Sequence, residues 1–123
     1  MLLVNAEDNY HTLGVQMAQY FYTTQGISTV TVLPGVPTHE ILDLLHVHKP
    51  QVIGFSVGLP TQMRQVREVV TQIQELPLKP GRILVGGPAV RFGLNPDPSL
   101  GITLCADLQQ SLPFFSAELK SQP

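Results

Sequence analysis

Val52-Ile53-Gly54-Phe55-Ser56-Val57-Gly58-Leu59-Pro60, followed beyond Thr61-Gln62 by Met63-Arg64-Gln65-Val66-Arg67-Glu68-Val69-Val70-Thr71-Gln72-Ile73, is the stretch that decides the fold class. Its first part is a continuous apolar run of strand length ending in glycine and proline, as a strand covered on both faces should read. Its second part repeats Met63, Val66, Val70 and Ile73 at helical spacing, with Arg64 and Arg67 left for the wet side. Ile83-Leu84-Val85-Gly86-Gly87 then returns to the strand pattern. Strand, helix and strand in succession make a crossover unit with parallel strands. The alternation continues outward in both directions. Leu2 to Val4 and Thr29 to Leu33 are strand-length apolar runs on one side, and Ile102 to Cys105 is another on the far side. Leu13, Met17 and Phe21, with Ala18 and Tyr22 beside them, mark the apolar face of a helix between the first two. Ile41, Leu44 and Leu45 mark a shorter helix for which Thr38 is the expected N-cap. Leu108, Leu112, Phe115 and Leu119 keep the helical period, but Pro113 forbids an uninterrupted helix, so that element is placed from near Ser111 onward.

A chain patterned this way is expected to be an α/β domain of three layers, flavodoxin-like or Rossmann-like, with a five-stranded parallel sheet in the order 2-1-3-4-5. A ligand then belongs beyond the carboxyl ends of the strands, at the switch point. The loops to read are therefore Asn5 to His11, Ser56 to Pro60 and Gly86 to Val90. Gly93 to Ser99, with Pro96 and Pro98, reads as an irregular connection. Neither a repeat nor a linker interrupts the chain, so residues 1–123 are expected to form one domain.

Composition narrows the function classes. Hydrophobic residues make up 43% of the 123, which excludes disorder as the main state. Charged residues are only 13%, against roughly 25% in an average soluble domain, so part of the surface is expected to be covered by a ligand or a protein segment. Seven basic and nine acidic side chains leave a net charge of −2, and the basic ones are scattered, so direct nucleic-acid binding is not expected. The single Cys105 excludes a disulfide framework and a Cys-based zinc cluster. No run approaches the roughly 18 apolar residues of a membrane span. The chain opens on Leu2-Leu3-Val4 without a charged leader, so a cytoplasmic protein with no membrane partner is expected.

The three strand exits hold the residues that could carry chemistry. His11, just before the first helix, is either a metal ligand pointing out of the domain or a solvated helix-start histidine. Thr12 stands beside it, and Gly14 falls in the helix's first turn, where a missing side chain lets something bulky lie against the backbone. Ser56 puts a hydroxyl at the carboxyl end of a buried strand, where it needs a backbone or ligand partner. Gly86 and Gly87 permit a tight turn or the close approach of a flat ligand. Other candidates fall away. His46 and His48 point to different faces of a helix and cannot pinch one metal, and they read, with His39, as surface residues. Cys105 reads as a small buried hydrophobe. Asp8 suits a phosphorylation receiver, but Phe55-Ser56 and Gly87-Pro88 stand where a receiver needs an aspartate and a lysine.

Taken together, His11-Thr12-Leu13-Gly14, Gly54-Phe55-Ser56 and Val85-Gly86-Gly87 resemble the motif set of cobalamin (vitamin B12)-binding domains. These are the corrinoid modules of methionine synthase, methylmalonyl-CoA mutase, corrinoid methyltransfer proteins and cobalamin-dependent photoreceptor regulators. The resemblance runs from Met1 to about Asp107. It implies that His11 replaces the cofactor's own benzimidazole as lower cobalt ligand and that Gly14 gives clearance beneath the corrin. It further implies that the displaced nucleotide tail threads past Ser56, Gly86 and Gly87, with Thr12 and Gly58 alongside. Two positions depart from the family pattern. Asn9 stands where an aspartate usually bonds the histidine's other ring nitrogen, and Gly58 stands where the Ser-x-Leu motif has its leucine, with Leu59 one place late. The implied cofactor is methylcobalamin or adenosylcobalamin. The implied role is a carrier or sensor that performs no chemistry alone and serves a catalytic or effector partner, a helical cap or a second copy of itself. The alternative is a small regulatory or interaction domain of the same fold with a decayed, non-cobalamin site.

Overall fold

Val52–Ser56 forms strand β3, buried along all but its last residue, because its apolar side chains find cover on both faces. The computed structural model describes residues 1–6, 12–77, 79–91 and 93–115. β3 lies between β1 (Leu2–Asn5) and β4 (Arg82–Gly86), with β2 (Val30–Val32) and β5 (Ile102–Leu104) at the edges. All pairings are parallel and the order is β2-β1-β3-β4-β5, as the sequence pattern predicts.

Helices cover both faces. α2 (Thr38–His48) and α3 (Met63–Ile73) pack on one face, where Ile41, Leu45, Val66 and Val70 meet Leu2, Val4, Ile53 and Phe55. The predicted α3 stripe is buried as expected, and Gln65 joins it by donating from Nε2 to the Val36 carbonyl at 2.8 Å. Arg64 stays outside, 3.4 Å from Glu68, a solvent-exposed pair of little energetic weight. His39, His46 and His48 are exposed, as read from the sequence.

α1 (Thr12–Thr24) packs on the other face, but not by the stripe expected of it. Leu13 and Met17 are 67% and 59% exposed and Phe21 is half-buried, whereas Val15, Ala18 and Tyr22 enter the core. Thr38 does not cap α2 either. Pro37 holds the cap position without a side-chain bond, and the Thr38 hydroxyl donates instead to Glu68 Oε2 at 3.1 Å. In place of a helix from Ser111 onward, a 3₁₀ turn runs over Gln109–Phe114 with Pro113 inside it. Its tighter, shorter repeat accommodates a proline that would break a longer α-helix. Leu119 lies outside the described residues. The loop expected after β4 holds a short helix, α4 (Pro88–Arg91), and the connection around Pro96 holds a 3₁₀ turn at Pro98–Leu100.

Candidate functional site

All strands of a parallel sheet end on one edge, so whatever their last residues carry converges there. On the α1 face two rungs of the sheet lead to that edge. The inner rung aligns Leu3, Gly54, Leu84 and Thr103, and the outer rung aligns Asn5, Ser56 and Gly86, about 7 Å further along the strands. Gly86 leaves a trough on the outer rung, whereas the missing side chain of Gly54 makes room for the Met1 side chain on the inner one. A Cβ at Gly54 would lie 2.7 Å from Met1 Cε, the movable end of a flexible side chain, and one at Gly86 would lie 3.4 Å from the Cys105 carbonyl oxygen.

α1 and the segment from Cys105 to Phe115 wall this trough into a cleft of about 770 Å³. Ala18 and Tyr22 face it from α1, and Cys105 and Ser111 from the opposite wall. The walls are bonded together at depth. The Ser111 hydroxyl donates to the Leu108 carbonyl at 2.5 Å and accepts from the Tyr22 hydroxyl at 2.7 Å. Burial pushes the Tyr22 phenol above its ordinary pKa. Burial, and then the neighbouring Asp107 charge, push the Cys105 thiol up as well. Both groups are therefore protonated and neutral at pH 7, and neither brings charge to the depth of the cleft.

The rim is stitched by backbone bonds. Ala6 N–H donates to the Ser56 carbonyl (3.0 Å), Val57 N–H to that of Gly86 (2.9 Å) and Cys105 N–H to that of Val85 (2.9 Å). Gly87 turns the chain out of β4 at φ +106°, where a Cβ would lie 2.6 Å from the Val57 carbonyl oxygen. Its glycine is thus required by the turn itself.

Of the residues singled out in the sequence, Gly14, Ser56, Gly86 and Gly87 line this one cleft. Gly14 lies in the first turn of α1, exposed, and a Cβ there would meet nothing within 4 Å. Thr12 opens α1. Gly58 is buried away from the cleft, with its N–H and that of Leu59 donated to Gln62 Oε1 at 2.8 and 3.0 Å. His11, Asn9 and Asp8 lie outside the described residues. Among those described, no three His, Cys, Asp or Glu side chains gather as a metal cluster. Of the other lining residues, the sequence reading has Gly54 only within the Gly54-Phe55-Ser56 motif and misses Leu84, Tyr22 and Arg91. Gly54 and Leu84 carried a signal, since they stand two residues before Ser56 and Gly86 and share their faces. Tyr22 and Arg91 carried none, because only tertiary packing brings them there.

A cleft of this size, apolar in depth with a few polar groups at its mouth, suits a large and mostly uncharged organic ligand. A family model described as the B12 binding domain matches residues 1–94. No curated protein gives a significant match. Among solved structures, a cobalamin-binding protein from Desulfitobacterium hafniense superposes with a TM-score of 0.74 at 16% identity, over 92% of this chain and 55% of its own. The methanol:cobalamin methyltransferase complex MtaBC of Methanosarcina barkeri gives 0.74 at 18% identity, over 89% of this chain and 42% of its own. The monomethylamine corrinoid protein of the same organism gives 0.75 at 15% identity, over 97% of this chain and 56% of its own. At such identities the likeness is one of fold, and the chain spans about half the length of these proteins.

Proposed function

The chain belongs to the B12-binding domain family, and from that premise we propose that it holds a cobalamin base-off, with the nucleotide tail in the cleft and His11 as lower cobalt ligand. The observation that carries this is the cleft between α1 and the 105–115 segment, floored on its outer rung by Ser56 and Gly86. Its volume falls within the roughly 300–1,000 Å³ of organic-ligand sites. Gly14 leaves the start of α1 bare beside the cleft mouth, as a broad macrocycle requires. Ser56 offers a hydroxyl at the rim, and Gly87 holds the β4 exit close to Val57. Gly58 acts one step back, since its bond to Gln62 fixes the β3 exit.

A bound cobalamin would supply a reactive upper cobalt–carbon bond. The described residues gather no general acid, base or nucleophile around the cleft, where Tyr22 and Cys105 are held neutral. The chain is accordingly read as a carrier or sensor module that presents the cofactor to a separate protein. The MtaBC complex gives a precedent for such a pairing.

The test is incubation of the purified chain with hydroxocobalamin, methylcobalamin or adenosylcobalamin, followed by gel filtration and absorbance spectra. Wild type should retain a corrinoid, and His11→Ala should keep the fold while changing the cobalt spectrum and loosening binding. Retention of none of the three would leave the decayed-site regulatory domain as the better reading. An unchanged spectrum in His11→Ala would remove that residue as the ligand.

A further inference from the structure

The cleft is graded in polarity from floor to mouth. Leu3, Ala18, Tyr22, Leu84 and Cys105 at its floor are all less than a tenth exposed, whereas Gly14, Pro88, Arg91 and Asp107 at its rim are open to solvent. Arg91 carries the one cationic side chain among its described lining residues. Its side chain makes no hydrogen bond or ion pair within the described residues, and Asp107, the one carboxylate among the described lining residues, accepts instead from the Gln110 N–H at 2.9 Å. Among the described residues the guanidinium is thus uncommitted. Its backbone, by contrast, is well held. Ala89 is fully buried, its N–H donates to the Val57 carbonyl at 3.1 Å, and Val90 N–H donates to that of Gly87 at 3.1 Å. α4 therefore presents Arg91 at a fixed place just past the two glycines.

A cobalamin tail has matching polarity. It ends in a flat, apolar benzimidazole and carries its single negative charge on the phosphodiester nearer the corrin. With the base on the apolar floor, the phosphate comes to the rim. An anion left uncompensated against an apolar wall is costly, and the planar fork of an arginine is the side chain best matched to phosphate oxygens.

Resting on the cobalamin reading above, we infer that Arg91 pairs with the tail phosphodiester at the cleft mouth and so selects for corrinoids that carry a complete nucleotide tail. Cobinamide, which lacks the nucleotide, has nothing for Arg91 to hold.

Spectral titration of the purified chain with cobalamin and with cobinamide, for wild type, Arg91→Gln and Arg91→Lys at low and high salt, tests this. Removing a charge-assisted pair of this kind should weaken cobalamin about tenfold in Arg91→Gln at low salt, with a smaller loss at high salt. Arg91→Lys should recover part of the loss. Cobinamide should bind all three proteins alike. Undiminished cobalamin affinity in Arg91→Gln, or an equal loss for cobinamide, would overturn the inference while leaving the cofactor reading intact. A wild-type chain that binds neither corrinoid would overturn both. Arg91 is exposed, so a circular dichroism melt of each variant should match wild type and keep the comparison clean.

Discussion

Gly86 and Gly87 look interchangeable in the sequence, yet the structure gives them separate tasks. At Gly87 both the positive φ and the 2.6 Å approach to Val57 oppose any side chain, so Gly87→Ala should cost about 2 kcal/mol or more in denaturant unfolding. At Gly86 the nearest atom is 3.4 Å away, so Gly86→Ala should fold nearly as well as wild type. Its methyl group would narrow the trough, and full cobalamin should lose more affinity than cobinamide in the same titration. Cys105 and Tyr22 make a pH prediction. Both have folded pKa values raised by burial, so the unfolded chain gives up these protons first. Their contribution to stability should hold level up to the ordinary thiol value of 9.0 and fall as the pH rises beyond it. Cys105→Ala should remove part of that fall in urea titrations at pH 7 and pH 10. Ser56, Gly86 and Gly87 were legible in the sequence because a strand exit is a local pattern. Arg91 was not, because its place depends on how β4 turns over β3.

At the scale of elements, the strands and α3 were legible and α1 was not, for a physical reason. Thr12–Thr24 has no charged residue and carries apolar side chains most of the way round, so periodicity offers two stripes and cannot choose. The larger side chains at Leu13 and Met17 suggested one stripe. Packing selected the other, where Ala18 and Val15 let the helix come close to the sheet and Tyr22 reaches Ser111. Met17→Gln and Tyr20→Gln, at positions 59% and 76% exposed, should each change stability by no more than about 0.5 kcal/mol. Val15→Ala, on the buried stripe, should cost about 1–2 kcal/mol by thermal or denaturant unfolding. Pro113 was read correctly as an obstacle to an α-helix. What the sequence could not show is that the chain takes a 3₁₀ turn there and uses it to wall the cleft.

Across the whole molecule, the crossover rule left a chain of alternating strands and helices few arrangements, and the flavodoxin-type order expected among them is the one the sheet has. The two faces of the sheet are nonetheless unequal. α2 and α3 close one face over Ile53, whose truncation to Ala should cost about 2–5 kcal/mol. On the other face α1 and the 105–115 segment flank the cleft, joined at depth by the Tyr22–Ser111 bond and by the packing of Tyr22 on Phe115. A layer that flanks a cleft, where the opposite face is closed, should detach more readily than the sheet beneath it, and its amides should exchange with deuterium sooner than those of β3. That inequality sets a clock. If a ligand reaches the floor only when this layer lifts, uptake should stop accelerating at high ligand concentration and level off at the lifting rate. Tyr22→Phe, which cuts the tie to Ser111, should raise that ceiling in stopped-flow absorbance.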